Sequence, residues 1–156
     1  MNENQAHAQT IPDSPAAVIR RPGEGERFQR SNRTVTIKAD LPQLSIHEIE
    51  FDTTFEVAPH THDHVDALLV LDGEIELLGG TQPERAEPGT VVAVPPGTPH
   101  GFRNPGPRRV RLLILHAPDG GFSQLIRETR PPAHTRDQLT ALAQSADLRP
   151  RPKELR

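Results

Sequence analysis

The sequence predicts an all-β fold, an antiparallel sandwich or barrel of short strands, followed by helix. Three observations predict it. Between residues 33 and 116 the apolar residues come in short runs of period two or short buried runs: RTVTIK, LSIHEIEF, FEV, ALLVLDGEIELL, TVVAV, HGFRN and RVRLLILH. Turn signals separate them at LPQ, DTT, APHTHDHV, DG, GGTQPERAEPG, PPGTP and NPGPR, which leaves no room for a helix of ordinary length. Beyond Ala117 the apolar spacing changes to three and four, as on one face of a helix.

Taken in order, residues 1–31 are polar, with proline and glycine at intervals and one apolar patch at 16–19, and read as a flexible N-terminal arm. Residues 32–118 carry all the strand runs without an internal repeat and read as a single barrel. Residues 119–146 read as helical: Phe122, Leu125 and Ile126 share one stripe, and TRDQLTALAQSA offers Thr135 as N-cap with Leu139 and Leu142 on another. Residues 147–156, proline-spaced and basic, read as a solvated tail.

Composition narrows the partners and the chemistry. A length of 156 residues fits one domain, and with only 33% apolar residues, 17 prolines and 11 glycines the core must lie in the middle of the chain. Lys and Arg number 18 against 21 acidic residues, a net charge of -3, and there is no Trp or Tyr and only 5 Phe. Neither a phosphate-binding field nor an aromatic stacking platform is available, so nucleic acid is not expected as a partner. Without Tyr or Cys there is no phenol, thiolate, disulfide or sulfur ligand, and acid–base work falls to His, Asp, Glu, Lys or a metal-bound water. No apolar run approaches about 18 residues and no signal-peptide core follows the N-terminus, so the expected setting is cytoplasmic, with no membrane partner.

The chemistry concentrates in two stretches. In HTHDHVD, residues 60–66, alternation along a strand puts His60 and His62 on one side and Thr61 on the other, so both imidazoles point at one locus. Residues 63–65 make a turn, and Asp66 opens the next strand, where it returns a carboxylate to the same place. In GTVVAVPPGTPHGFRN, residues 89–104, TVVAV is a strand and Pro95 and Gly97 make a turn. His100 then begins another strand, as the third imidazole.

These stretches resemble the two signature motifs of the cupin superfamily. His60, His62 and Gly73 match the first, with Asp66 where the family has glutamate, and Gly89, Pro95, Gly97, His100 and Asn104 satisfy every position of the second. The resemblance runs over about residues 33–130 and, with GGFSQLIRE after the strands, is similar to single-domain bacterial cupins of the quercetin dioxygenase-like type. It implies a double-stranded antiparallel β-barrel, a homodimer, and one divalent transition metal (Fe, Mn, Ni, Co, Cu or Zn). It makes His60, His62 and His100 metal ligands and places Asp66 as the carboxylate ligand, which in such dioxygenases also serves as a catalytic base.

Aspartate is shorter than glutamate by about 1.5 Å, and a ligating oxygen must come within about 2.0–2.2 Å of a zinc-like metal. Asp66 therefore reaches the metal directly or through water. His64 has three readings: a replacement for the carboxylate, an acid or base at the mouth of the site, or a solvent-facing turn residue, which is the simplest. Strand parity puts His47, Ile49, Phe51, Leu68, Val70, Phe102, Leu112 and Ile114 on the inner side, an apolar substrate pocket for a small organic molecule. His47 and His116 read as structural histidines, and Asn104 as structural, its usual part in the family.

The function expected first is that of a dioxygenase-like oxidoreductase acting on a small organic substrate. A metal-dependent isomerase or cyclase and a non-catalytic small-molecule-binding or sensing cupin are the alternatives.

Overall fold

Residues 16–129 are described by the structure, a computed structural model. The expected second helix with Thr135, Leu139 and Leu142, the basic tail, and the first half of the arm lie outside the described residues. The strands are β1 (Glu26–Gln29), β2 (Arg33–Leu41), β3 (Leu44–Phe51), β4 (Glu56–His60), β5 (Val65–Asp72), β6 (Ile75–Leu78), β7 (Glu84–Ala86), β8 (Val91–Val94), β9 (His100–Arg103) and β10 (Val110–Ala117). One helix, α1 (Phe122–Glu128), follows among the described residues.

The strands form two antiparallel sheets in a jelly-roll arrangement, one of order β1-β2-β3-β10-β5-β8 and one of order β4-β9-β6-β7. The all-β antiparallel fold is thus as the sequence predicts, but the sheets do not close into a barrel. Strands β6, β8 and β9 are only 4 residues long and β7 only 3. That length sustains a ladder within one sheet and not the staggered pairing that closes a ring.

Two further differences concern short elements. Residues 26–29, read as arm, form β1, which pairs with β2 in the register Glu26↔Ile37 to Gln29↔Thr34 and buries Phe28. Residues 84–86, read as part of a solvated turn, form β7 against β6, with Arg85 2.7 Å from Glu74. In both stretches charged residues outnumber apolar ones, so no apolar alternation shows, and only pairing reveals them.

The core follows the alternation of the longer strands. Along β3 burial alternates residue by residue, with Ser45, His47, Ile49 and Phe51 inward and Ile46, Glu48 and Glu50 on the other face. All eight residues expected to line the interior are buried, and Phe51 packs its ring 5.5 Å from that of Phe102. Outside, Glu48 meets Lys38 at 3.5 Å and Arg111 at 2.9 Å, half-buried pairs on the outer face.

One contact places the site. At Gly101 in β9 a Cβ would collide with the Val57 carbonyl oxygen and the Ala58–Pro59 backbone of β4. The bare α-carbon lets β4 lie close while its register shifts between Val57 and His60, which brings His60 directly opposite His100. Pro59 is tolerated in β4 because that strand is an edge of its sheet. Gly101→Ala is expected to cost about 1–3 kcal/mol through overpacking against backbone. Chemical denaturation would check this, and an unchanged midpoint would contradict it.

The chain divides after Gly120, and α1 belongs to the second unit. Within that helix Gln124 donates to Glu128 at 2.7 Å, and the Thr129 hydroxyl donates to the Leu125 carbonyl at 2.8 Å.

Candidate functional site

His60 ends β4 and His100 opens β9, a cross-strand pair whose ring centroids lie 4.6 Å apart. His62 follows two residues after His60, its ring 4.5 Å from that of His60 and 5.4 Å from that of His100. The turn before His100 is tied to this segment by the Gly97 N–H, which donates to the His62 carbonyl at 2.7 Å. Gly97 holds φ at 76°, a left-handed conformation that glycine adopts without strain. So the sequence spacing brings the three expected imidazoles together, and their ligand nitrogens lie within 4.8 Å of one another.

The orientation of the rings is set from outside. His60 Nδ1 lies 2.9 Å from the Ala58 carbonyl oxygen, and His100 Nδ1 lies 2.9 Å from that of Thr98. A carbonyl only accepts, so Nδ1 carries the proton, and in the neutral ring Nε2 presents a lone pair inward. His60 Nε2 is 2.8 Å from His62 Nε2, and His100 Nε2 is 2.9 Å from Asp66 Oδ2. Lone pairs at such separations repel unless a proton or a cation lies between them.

Spacing agrees with a metal. Two donors each about 2.1 Å from one ion are about 3.0 Å apart at a right angle and about 3.4 Å apart at the tetrahedral angle. The observed separations of 2.8 and 2.9 Å, with 3.5 Å from His62 Nε2 to Asp66 Oδ2, fall around these values. Imidazoles with one carboxylate suit a divalent transition metal better than calcium or magnesium.

Asp66 comes from β5, where its cross-strand neighbours are His116 on β10 and Val94 on β8. His116 is in turn opposite Ser45 on β3, so Ser45, His116 and Asp66 form one polar row across the centre of the larger sheet. Asp66 is 3% exposed, and its carboxylate faces His62, His64, His100 and His116.

His64 differs from the simplest sequence reading. It is 9% exposed and not a solvent-facing turn residue: its ring stacks on that of His62 at 4.4 Å and 21°, and Nε2 approaches Asp66 Oδ1 to 3.0 Å. Because Val65 already belongs to β5, the turn is shorter than expected, and His64 sits just before the start of β5, buried. His116 likewise joins the site. Its inward parity with Leu112 and Ile114 was the signal in the sequence, and its partners across the sheet were not.

Two ring acidities shift. Burial lowers the pKa of His62, reinforced by His60, His64 and His100 and opposed by Asp66. Burial also lowers that of His116, again opposed by Asp66. Both rings are thereby held neutral, as ligands must be. In the unfolded chain these histidines bind protons from about pH 6.5 downward, before the folded protein does. Stability contributed above that pH is therefore lost as pH falls through the folded values. Denaturation midpoints of metal-free protein are expected to fall below about pH 6.5, and less steeply in His116→Gln.

Leu68 and His100 also line a cleft of about 180 Å³, otherwise formed by Leu77, Leu78, Val92, Val94 and neighbouring turn residues. Asn104 lies apart: its side chain donates to the Arg108 carbonyl at 2.7 Å and accepts from the Gly106 N–H at 2.9 Å, shaping the β9–β10 turn. Among the described residues no helix is long and apolar enough to cross a membrane.

Comparison with known proteins agrees with this fold. Residues 47–116 match the Cupin domain family model. No curated protein matches the chain. Similar solved structures include KdgF from Halomonas sp., at 23% identity and a TM-score of 0.57, covering 63% of this chain and 92% of that one. An RmlC-like cupin from Shewanella frigidimarina has 19% identity and a TM-score of 0.61, over 69% and 96% of the two chains. The DMSP lyase DddQ from Ruegeria pomeroyi has 24% identity and a TM-score of 0.50, over 57% and 48%. The segment that matches the family model runs from His47 to His116 and contains every histidine and the aspartate of the site.

Proposed function

We propose that this protein is a metal-dependent cupin acting on a small organic substrate, with one divalent transition metal held by His60, His62 and His100 and with Asp66 beside it. The observation that carries the reading is the inward convergence of three imidazole nitrogens, two of them on rings fixed by backbone carbonyls. When bound, such a metal polarises a substrate oxygen or supports redox chemistry. The chain's own contribution is to orient the imidazoles, to exclude water with Ile49, Phe51, Leu68 and Leu112, and to set the Asp66 carboxylate beside the metal.

Dioxygenase-like oxidation is the first reaction to test. A proton transfer, as in an isomerase or cyclase, is the second reading, favoured by a buried carboxylate among four imidazoles, the arrangement of a general base. One neighbour is a lyase, and shared fold does not choose between these chemistries. Protein loaded in turn with Fe, Mn, Co, Ni, Cu or Zn would be offered a panel of small enols and hydroxy-ketones. Dioxygen uptake is expected with a redox-active metal. Solvent-deuterium incorporation without uptake would favour proton transfer, and binding without either would leave a sensing barrel.

The homodimer belongs to the same proposal. On the outer face of the larger sheet, Leu113, Leu69 and Val91 form one cross-strand row and Ile46, Leu115, Ala67 and Ala93 another. Val91 is 65% exposed, and a second copy of this face would cover it. A monomeric mass in light scattering at micromolar concentration would contradict this.

A further inference from the structure

The three-histidine cluster engages only one oxygen of Asp66. Oδ2 faces His100 Nε2 at 2.9 Å and His62 Nε2 at 3.5 Å. Oδ1 points the other way, 3.0 Å from His64 Nε2 and 3.8 Å from His116 Nε2. We propose that Asp66 is a bridging carboxylate, and that its Oδ1, His64 and His116 form a second site for a divalent transition-metal cation next to the first. This rests on the metal reading above, because the two sites share Asp66.

Burial makes it a built site. Asp66 is 3%, His116 5% and His64 9% exposed. The outer nitrogens face oxygens, as in the first cluster: His64 Nδ1 lies 3.5 Å from Asp63 Oδ1, and His116 Nδ1 lies 3.4 Å from Ser45 Oγ. Each ring's Nε2 lies on the side of Asp66, at 3.0 and 3.8 Å from Oδ1. Asp63, an acceptor, favours a proton on His64 Nδ1 and a lone pair on Nε2.

An unmet pairing points to an ion. His64 Nε2 and Asp66 Oδ1 are both buried, and among the described residues neither makes a hydrogen bond, although they lie only 3.0 Å apart. The distance suits a hydrogen bond but the alignment does not. A cation ligated by both atoms satisfies each. The separations of 3.0 and 3.8 Å bracket the spacing of about 3.4 Å for two donors on a tetrahedral metal. A Cβ at Gly120 would strike the His64 ring, so bare backbone clamps that ring in place.

One carboxylate between two divalent ions leaves net positive charge, which the exposed Asp63 only partly offsets, so the second ion binds more weakly. Two imidazoles and a carboxylate oxygen leave coordination positions open, and those positions accept a substrate oxygen.

The test is a titration of the untagged, metal-free full chain with Mn(II) and with Zn(II), bound metal being measured by elemental analysis after equilibrium dialysis. Two ions per chain are expected, the second at least about 10-fold weaker than the first, with a spin-coupled Mn(II) pair in electron paramagnetic resonance. His64→Ala is expected to bind one ion, and its retained first ion reports that it is folded. One ion per chain in both wild type and His64→Ala overturns the second site and leaves the first standing. No bound ion in wild type overturns both.

Discussion

Asp66→Ala is expected to lower transition-metal affinity by at least about 100-fold and to destabilise the metal-free protein by about 1–3 kcal/mol. Four imidazoles face this carboxylate, which is buried among them. Its removal leaves His64 Nε2 buried against a hole and leaves any cation in the cluster without compensation. Asp66→Asn separates the two effects, because it keeps the shape and removes the charge. It is expected to retain most of the stability and to lose the metal, as read by calorimetric titration with Zn(II) and by denaturant unfolding. Wild-type affinity in Asp66→Asn would show that the charge is not used.

The second large effect is that of His62→Ala. His62 belongs to both possible ligand groupings, one with His60 and His100 and the other with His64 and Asp66. Losing it is expected to release the metal of the three-histidine site. Its side chain is 31% exposed, so the stability of the metal-free protein should change little. Loss of metal with an unchanged unfolding midpoint is thus the signature of a ligand, whereas a lowered midpoint with metal retained would mark His62 as structural.

Much of this site could be read before the fold was known, for a definite reason. His60 and His62 share parity within one strand, and the turn before His100 is built from Pro95 and Gly97, so local rules alone bring the histidines into play. What could not be read was the arrangement across strands. The row Ser45, His116, Asp66 depends on β10 lying between β3 and β5, a non-local pairing that no window of sequence displays. For the same reason His64 looked like a turn residue. Its neighbours in space are Asp66 on the next strand and Gly120 far along the chain. The inner face was legible because its alternation is long, and β1 and β7 were not because charged residues outnumber apolar ones in them.

Parity also explains why the apolar residues expected around a ligand are all buried. Ile49, Leu112, Val70 and Leu68 sit at inward positions of three adjacent strands, with Leu112 opposite both Ile49 and Val70. The polar row of Ser45, His116 and Asp66 continues that inner face. Apolar packing thus holds one part of the sheet while the other carries the ionisable groups, an arrangement that fixes ligand geometry against a rigid support.

The most direct test of a metal centre at His60, His62 and His100 is elemental analysis of full-length, untagged protein purified without added metal, beside a His60→Ala, His100→Ala double variant. The account predicts at least one transition metal per chain in the wild type and loss of that metal in the variant. Wild-type protein that stays metal-free after reconstitution, or a variant that keeps the full complement, would contradict it.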